Sequence, residues 1–203
     1  MDDHALLERW ASGDRTAGGE LFERHFASLH RFFANKLASL SDVEDLMQQT
    51  LVACIAARAG FRRDAAFRTF LFSIARNTLL KHLRDRRQLT TFDPDDTSLA
   101  DCGMGQSSVV RAKREQQLLL LGLRHIPVDS QVVLEMHYWE AMTAPEIAET
   151  LNETVPAVRG RLRKAREQLV AAIERLARDP GERRSTVDGL DEWVRSLRGY
   201  WEG

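Results

Sequence analysis

The chain has 203 residues, of which 43% are hydrophobic and 29% are charged, and its formal net charge is −1. This composition can fill a buried core, so it excludes a chain that is disordered throughout, and the balanced charge argues against a uniformly basic, histone-like binder of nucleic acid. No stretch approaches the roughly 20 consecutive apolar residues of a membrane helix, and the N-terminus lacks a signal-peptide pattern, so we expect a cytoplasmic protein without membrane insertion.

Three long helices are predicted in the first half of the sequence. Apolar residues at helical spacing indicate the first over about 17–37 and the third over about 66–87. The second is predicted over about 42–58, opened by a capping box in which Ser41 accepts a hydrogen bond from the amide of Glu44. No strand pattern with a period of two residues is present, so an all-α fold is expected.

The third helix and the segment before it are strongly basic. Residues 58–87 contain nine Lys or Arg and two acids. Aromatic and basic side chains alternate there: Phe61, Arg62, Arg63, Phe67, Arg68, Phe70, Phe72, Arg76 and Lys81. Rings beside cations are typical of single-stranded nucleic-acid binding, because bases stack on the rings and cations neutralise the backbone. The alternative is that the phenylalanines are core, and we favour that for Phe67 and Phe70.

An acidic linker is predicted over residues 88–110. This segment holds four Asp and no base, and it contains Pro and Gly without any helical period. A packed loop of that length inside a compact domain is uncommon. The segment therefore predicts an extended connection between two small helical domains.

The second half predicts a helix-turn-helix. Helices resume near Val110 and are interrupted by Pro127. A capping box at Thr143 opens a helix of about two turns, and Asn152 then suits the left-handed conformation of a sharp turn. Thr154 can cap the next helix, which has Pro156 in its first turn. A short helix, a turn and a longer helix in this order form the DNA-binding arrangement.

The second helix of that pair is basic, with five bases and no acid over residues 159–166. Its outer face is predicted to carry Arg159, Gly160, Arg163 and Lys164. A helix of this kind fits the major groove of DNA and reads base edges from its N-terminal part. The alternative is a solvated basic face on an ordinary helical bundle. It explains less well why the Lys and Arg residues come directly after two capped turns.

The chain contains the three segments DVEDLMQQTL, FRTFLFSIARNTLLKHLRDRR and TAPEIAETLNETVPAVRGRLRKAREQL. Together they resemble the bacterial sigma-70 family of RNA polymerase sigma factors, in its extracytoplasmic-function (ECF, group IV) class. The resemblance covers roughly residues 17–177. It implies a sigma region 2-like helical bundle over 1–87, the linker over 88–110 and a sigma region 4-like helix-turn-helix domain over 111–177.

The resemblance also implies binding partners, core RNA polymerase and promoter DNA, and a role for each motif. The residues expected to bind polymerase are Asp42, Asp45, Leu46, Gln48 and Gln49. Those expected at the −10 element are Phe61, Arg62, Arg63, Phe72, Arg76, Asn77 and Lys81. Those expected at the −35 element are Thr154, Arg159, Gly160, Arg161, Arg163 and Lys164. Phe70 stands where the family usually has Trp, which implies a difference in DNA melting.

Residues 178–203 extend beyond the resemblance. Leu190, Trp193, Val194, Leu197 and Trp201 recur at helical spacing and predict a short amphipathic helix. That helix either packs on the chain itself or docks a regulator. Whether an anti-sigma factor is a further partner stays open.

The sequence therefore predicts a sigma factor that directs promoter-specific initiation and helps to melt DNA. The alternative is a stand-alone helix-turn-helix regulator that binds duplex DNA without engaging polymerase. An enzyme is not expected, because no nucleophile motif, phosphate loop or dinucleotide loop occurs. The two cysteines and scattered histidines match no metal-ligand spacing, so neither a metal nor a cofactor is expected.

Overall fold

The structure is a computed structural model that describes residues 2–37, 39–58, 66–87 and 114–177. Over these ranges the chain forms α-helices and no β-strand, which confirms the all-α prediction. The helices are α1 (Asp3–Ala11), α2 (Arg15–Ala34), α3 (Leu40–Ala57), α4 (Phe67–Arg87), α5 (Arg114–Arg124), α6 (Val128–Tyr138), α7 (Ala144–Leu151) and α8 (Val155–Leu176). The linker 88–110, the residues Phe61–Arg63 and the extension 178–203 lie outside the described residues.

Helix α1 precedes the predicted elements and packs against α2. The Asp2 carboxylate caps α1 by accepting from the amide of Ala5 at 2.8 Å. The Trp10 ring at the end of α1 lies directly against Gly18 of α2, where an added Cβ would come within 2.3 Å of the ring. Only glycine permits this approach, so the packing of α1 depends on the missing side chain at residue 18.

The start of α3 differs from the prediction. Its N-cap is Ser39, whose hydroxyl accepts from the amide of Asp42 at 3.4 Å, and the helix begins at Leu40. Ser41 lies inside the first turn, and its hydroxyl is 2.6 Å from that of Ser39. The predicted capping box at Ser41 was therefore wrong, because a serine two residues earlier meets the same requirement.

Helices α1–α4, the N-terminal half, share an aromatic core. The ring of Trp10 meets Phe22 and Phe67 edge-on, with centroids 5.4 and 6.0 Å apart. Phe32 and Phe72 form a second edge-on pair at 5.5 Å. Such geometry matches the positive edge of one ring to the negative face of another. Phe67 is confirmed as a core residue and Phe70 is partly buried against the same core.

Helices α5–α8, the C-terminal half, contain the predicted helix-turn-helix. The capping box is present: Thr143 accepts from the amide of Glu146, whose carboxylate accepts from the Thr143 amide. Asn152 adopts the left-handed conformation at φ 55° and ψ 45°. Thr154 then caps α8 by accepting from the amide of Ala157 at 3.3 Å. Each local prediction for this motif is confirmed.

The two halves contact each other. Helix α4 packs against α7, and ion pairs connect α2 and α4 to α6, α7 and the turn between them. None of the helices in the described ranges is long and apolar enough to cross a membrane. The same residues contain no cluster of three or more His, Cys, Asp or Glu with the geometry of a metal site.

Candidate nucleic-acid and polymerase interfaces

Helix α3 presents a polar strip to solvent. Asp45, Gln48 and Gln49 are exposed and lie within one turn of each other on the outer face. The other two predicted polymerase-binding residues are placed differently. Leu46 is buried in the core, and the carboxylate of Asp42 accepts from Arg86 of α4 at 2.6 Å.

Sequence reasoning missed two apolar residues on α3. Val52 is 60% exposed and Ile55 is 53% exposed, which is unusual for β-branched residues in a helix that otherwise buries its apolar side chains. They follow Asp45 and Gln48 at helical spacing, so they continue the same exposed face for about two turns beyond the polar strip. The helical period could have identified them, because both residues recur at helical spacing after Gln48. The predicted strip ended at Gln49, whereas the exposed face of the helix continues.

Some of the predicted −10 residues on α4 are buried and others are exposed. Phe72 has no exposed surface and packs on Phe32, so in this arrangement its ring is core and not a stacking platform for a base. Asn77 and Lys81 are exposed and lie one turn apart. Arg84 continues the same exposed face. These three polar side chains therefore lie exposed along one face of α4.

Arg76 is held by an acid from the other half of the chain. Its Nε and Nη2 donate to the two carboxylate oxygens of Asp129 at 2.9 and 2.6 Å. This bidentate geometry is the one arginine also uses on phosphate. Nothing in the sequence indicated the pair, because the two residues are 53 positions apart.

Helix α8 presents a basic outer face near its N-terminus. Arg159, Gly160, Arg163 and Lys164 are exposed, as predicted for the outer face of the second helix. A Cβ added to Gly160 would meet nothing within 4 Å, so no packing inside the protein requires glycine there. The surface at Gly160 is therefore open.

Two members of the predicted −35 set have other partners. The Thr154 hydroxyl caps α8. Arg161 donates to Glu153 at 2.9 Å and approaches Asp129 to 3.8 Å. The side chain of Arg161 is 24% exposed, whereas Arg159 and Arg163 are exposed. In this arrangement Arg161 helps to fix the turn before α8.

Buried charges surround the contact between the two halves. Lys36 Nζ donates to the Glu135 carboxylate and, at 2.8 Å, to the carbonyl oxygen of Phe32. Burial lowers the pKa of Lys36, although Glu135 and Glu140 favour its charged form. Burial likewise raises the pKa of Glu135. The desolvation of both groups opposes their mutual attraction.

Comparison with known proteins assigns the family. The sigma-70 region 2 model matches residues 21–89 and the sigma-70 region 4 model matches residues 116–169. The RNA polymerase sigma factor NccH of Alcaligenes xylosoxydans xylosoxydans is 31% identical over 177 residues, covering 85% of this chain and 95% of NccH. The ECF RNA polymerase sigma-E factor of Haemophilus influenzae is 26% identical over 193 residues, covering 87% and 97%.

The fold agrees with these relatives. A solved structure of CnrH in complex with the cytosolic domain of CnrY matches with a TM-score of 0.64 and 27% identity, covering 86% of this chain and 99% of CnrH. The chain therefore belongs to the sigma-70 family of RNA polymerase sigma factors, in the ECF class.

Proposed function

We propose that this chain binds core RNA polymerase and directs promoter-specific transcription initiation. The observation that carries the proposal is the presence, in one chain, of a helix-turn-helix with an exposed basic second helix and of a helical half that exposes two further polar helix faces. Its membership of the sigma-70 family supports the same conclusion.

Helix α8 is proposed to bind the −35 element as duplex DNA. Arg159 and Arg163 lie one turn apart on the exposed face, so both can reach one groove or its phosphates. Lys164 lies beside them and supplies a further phosphate contact. The absence of a Cβ at Gly160 lets the helix backbone approach the DNA between these side chains.

Helix α4 is proposed to bind the −10 element. Asn77 is exposed and can donate and accept hydrogen bonds at a base edge, while Lys81 neutralises the strand backbone one turn further on. Phe61, Arg62 and Arg63, which precede this helix in the sequence, and Arg76 belong to the same proposed −10 set. The energetic role of this set is to offset the few kcal/mol that unstacking a base costs.

Helix α3 is proposed to dock on core polymerase through Asp45, Gln48 and Gln49. Val52 and Ile55 continue this face, and docking would bury their exposed apolar surface at a gain of about 25 cal/mol per Å². A polar strip with adjacent apolar area is typical of a protein interface, because the polar groups orient a contact that the apolar groups stabilise.

The wider role follows from this activity. The protein is proposed to act in the cytoplasm as an initiation factor without catalytic residues or cofactor of its own. A regulatory partner of the anti-sigma class is also proposed, because the related CnrH has been solved in complex with a second protein, the cytosolic domain of CnrY.

Binding to core RNA polymerase distinguishes a sigma factor from a stand-alone helix-turn-helix regulator, because such a regulator does not need the exposed face of α3. We expect the double variant Asp45→Arg with Gln48→Ala to lose binding to core polymerase in a pull-down while its helical circular dichroism is unchanged. Glu23→Arg on the exposed face of α2 makes the same change of charge and should retain binding. Equal recovery of core by wild type and the double variant would contradict the assignment of α3.

A further inference from the structure

The ring of Trp10 at the end of α1 contacts the chain on both sides of a segment proposed to bind DNA. On one side the guanidinium carbon of Arg58, the C-cap of α3, lies 5.9 Å from the centre of this ring, within the range of a cation–π contact. On the other side the ring of Phe67, the first residue of α4, meets Trp10 edge-on with centroids 6.0 Å apart. The sequence between Arg58 and Phe67 contains three members of the proposed −10 set: Phe61, Arg62 and Arg63. One side chain of α1 thus holds both flanks of that segment.

A second contact ties the other end of α1 to the start of α4. The imidazole ring of His25 on α2 lies against the ring of Phe67, with centroids 5.3 Å apart. Its Nε2 is 2.7 Å from the carboxylate of Asp3 in the first turn of α1, and this carboxylate also accepts from Arg24 at 3.1 Å. Asp3 and Trp10 lie near opposite ends of α1, so the whole helix is fixed relative to Phe67.

Trp10 itself is too deeply buried to contact DNA in this arrangement. It is 3% exposed, and its ring packs against Gly18 and Phe22 as well as Phe67. Helix α1 precedes residues 21–89, which the sigma-70 region 2 model matches, and it contains none of the residues predicted to bind DNA or polymerase. Any effect of Trp10 on DNA must therefore come from the placement of its neighbours.

We propose that Trp10 is a positioning residue for recognition of the −10 element, because it holds both flanks of the segment that carries Phe61–Arg63. A segment with fixed ends has fewer conformations than one with free ends, so it loses less entropy when it binds a DNA strand. This inference rests on the proposed function, because the −10 element is the ligand that the segment is proposed to bind. It adds that α1 determines how tightly and how selectively the opened strand is read.

The first test uses the holoenzyme of the full chain with core polymerase and a pool of DNA duplexes that contain an unpaired segment of random sequence. The bound molecules are sequenced to obtain the base preference. We expect Trp10→Leu, which removes both ring contacts, to bind the sequences that wild type selects about five- to tenfold more weakly and with less preference among bases. Trp10→Phe keeps a ring against Phe67 and should retain most of the preference. Binding to core polymerase and to −35 duplex DNA should be unchanged in both variants.

Val43→Ala is the matched control for a loss of stability in the same core. Val43 is 2% exposed and lies about four turns from Arg58 along α3, so its truncation makes a cavity far from both flanks. We expect this variant to unfold at lower urea concentration than wild type and to keep the wild-type base preference. If Trp10→Leu behaves in the same way, with lower stability and an unchanged preference, Trp10 is only a core residue and the proposal is overturned.

The second test measures whether Trp10 acts through Arg58. Arg58→Gln removes the cation from the ring, and because Arg58 is partly exposed we expect this variant to fold. It also removes a charge that attracts DNA, so its effect is compared in the wild-type and Trp10→Leu backgrounds. We expect Arg58→Gln to weaken binding by a larger factor in wild type, because the contact is already lost in the other background. Equal factors would show that Arg58 acts by its charge alone and would overturn the proposal.

Trp10→Phe replaces Trp10→Leu as the second background if the leucine variant does not fold, because phenylalanine attracts a cation less strongly than tryptophan. Failure of the positioning role and failure of the proposed function give different results. If Trp10 has no positioning role, the wild-type holoenzyme selects a common sequence and the Trp10 variants select it equally well. If the proposed function is wrong, the wild-type chain does not bind core polymerase and selects no common sequence with it, whatever the variants do.

Discussion

Gly160 lies within α8 on the exposed basic face, where an added Cβ meets no other atom. Glycine inside a helix costs about 0.5–1 kcal/mol relative to alanine, because it loses more backbone freedom on folding. Since no packing explains this cost, we propose that the glycine permits close approach of DNA.

We expect Gly160→Ala to raise the free energy of unfolding by about 0.5–1 kcal/mol in urea denaturation and to weaken binding of −35 duplex DNA. The opposite signs of the two effects distinguish a binding role from a structural one. A variant that is more stable and binds the duplex normally would contradict the attribution.

Gly18 and Gly19 form a matched pair on α2. An added Cβ at Gly18 would come within 2.3 Å of the Trp10 ring, whereas at Gly19 it meets nothing within 4 Å. We expect Gly18→Ala to lower the free energy of unfolding by about 1–3 kcal/mol through overpacking, and Gly19→Ala to leave it equal or higher. Thermal and urea unfolding measure both. Equal stabilities would show that α1 moves away from α2 at little cost.

The capping box at the start of α7 links stability to pH. Burial raises the pKa of Glu146, but hydrogen bonds from Thr143 and the Arg68 guanidinium outweigh it and hold the pKa below its ordinary value of 4.5. A lowered pKa in the folded state means that this stabilisation is present above about pH 4.5 and is lost as the pH falls through the folded-state pKa.

We therefore expect Thr143→Ala to cost about 1 kcal/mol of unfolding free energy at pH 7 and less at pH 3. Urea unfolding of wild type and variant at both pH values measures the difference. An unchanged difference at the two pH values would mean that Glu146 does not contribute through its charge.

Helices α4 and α8 are expected to perform different steps on DNA. Arg163→Ala should weaken duplex binding and lower the salt slope of log affinity by about 1, the effect of one lost phosphate contact. Asn77→Ala should leave duplex binding intact and reduce strand opening, because base–side-chain contacts stabilise the unstacked strand. Permanganate footprinting of the holoenzyme detects opening. Normal opening together with lost duplex binding in Asn77→Ala would reverse the assignment.

Local chemistry explains which elements the sequence predicts well. Thr143 has one plausible role, as the N-cap of a helix, and Asn152 has one, as the left-handed residue of a turn. Both adopt these roles in the structure. The cap of α3 was misplaced because Ser39 and Ser41 both satisfy the rule. The exposed residues of α8 followed from the helical period. Leu46 and Phe72 were assigned to interfaces by resemblance, and the structure buries both, because their burial depends on helices distant in sequence.

The contact between the halves had no signal in the sequence. Arg31 and Glu140 are separated by 109 residues, and Asp129, Glu135 and Glu146 resemble an ordinary acidic helix surface when read alone. Only the three-dimensional arrangement shows that Arg31, Lys36, Arg68 and Arg76 pair with Glu140, Glu135, Glu146 and Asp129 across the contact. At the scale of the whole molecule, the contact between the halves therefore depends on residues that are far apart in the sequence.

The measurement that tests the account most directly is transcription by core RNA polymerase reconstituted with the full chain on a genomic DNA template, with transcript starts mapped by sequencing. We expect starts that depend on the chain and share two sequence elements at a fixed spacing upstream. Arg159→Ala with Arg163→Ala should reduce these starts while leaving core binding intact. Starts identical to those of core polymerase alone, despite intact DNA binding by α8, would contradict the account and favour a stand-alone regulator.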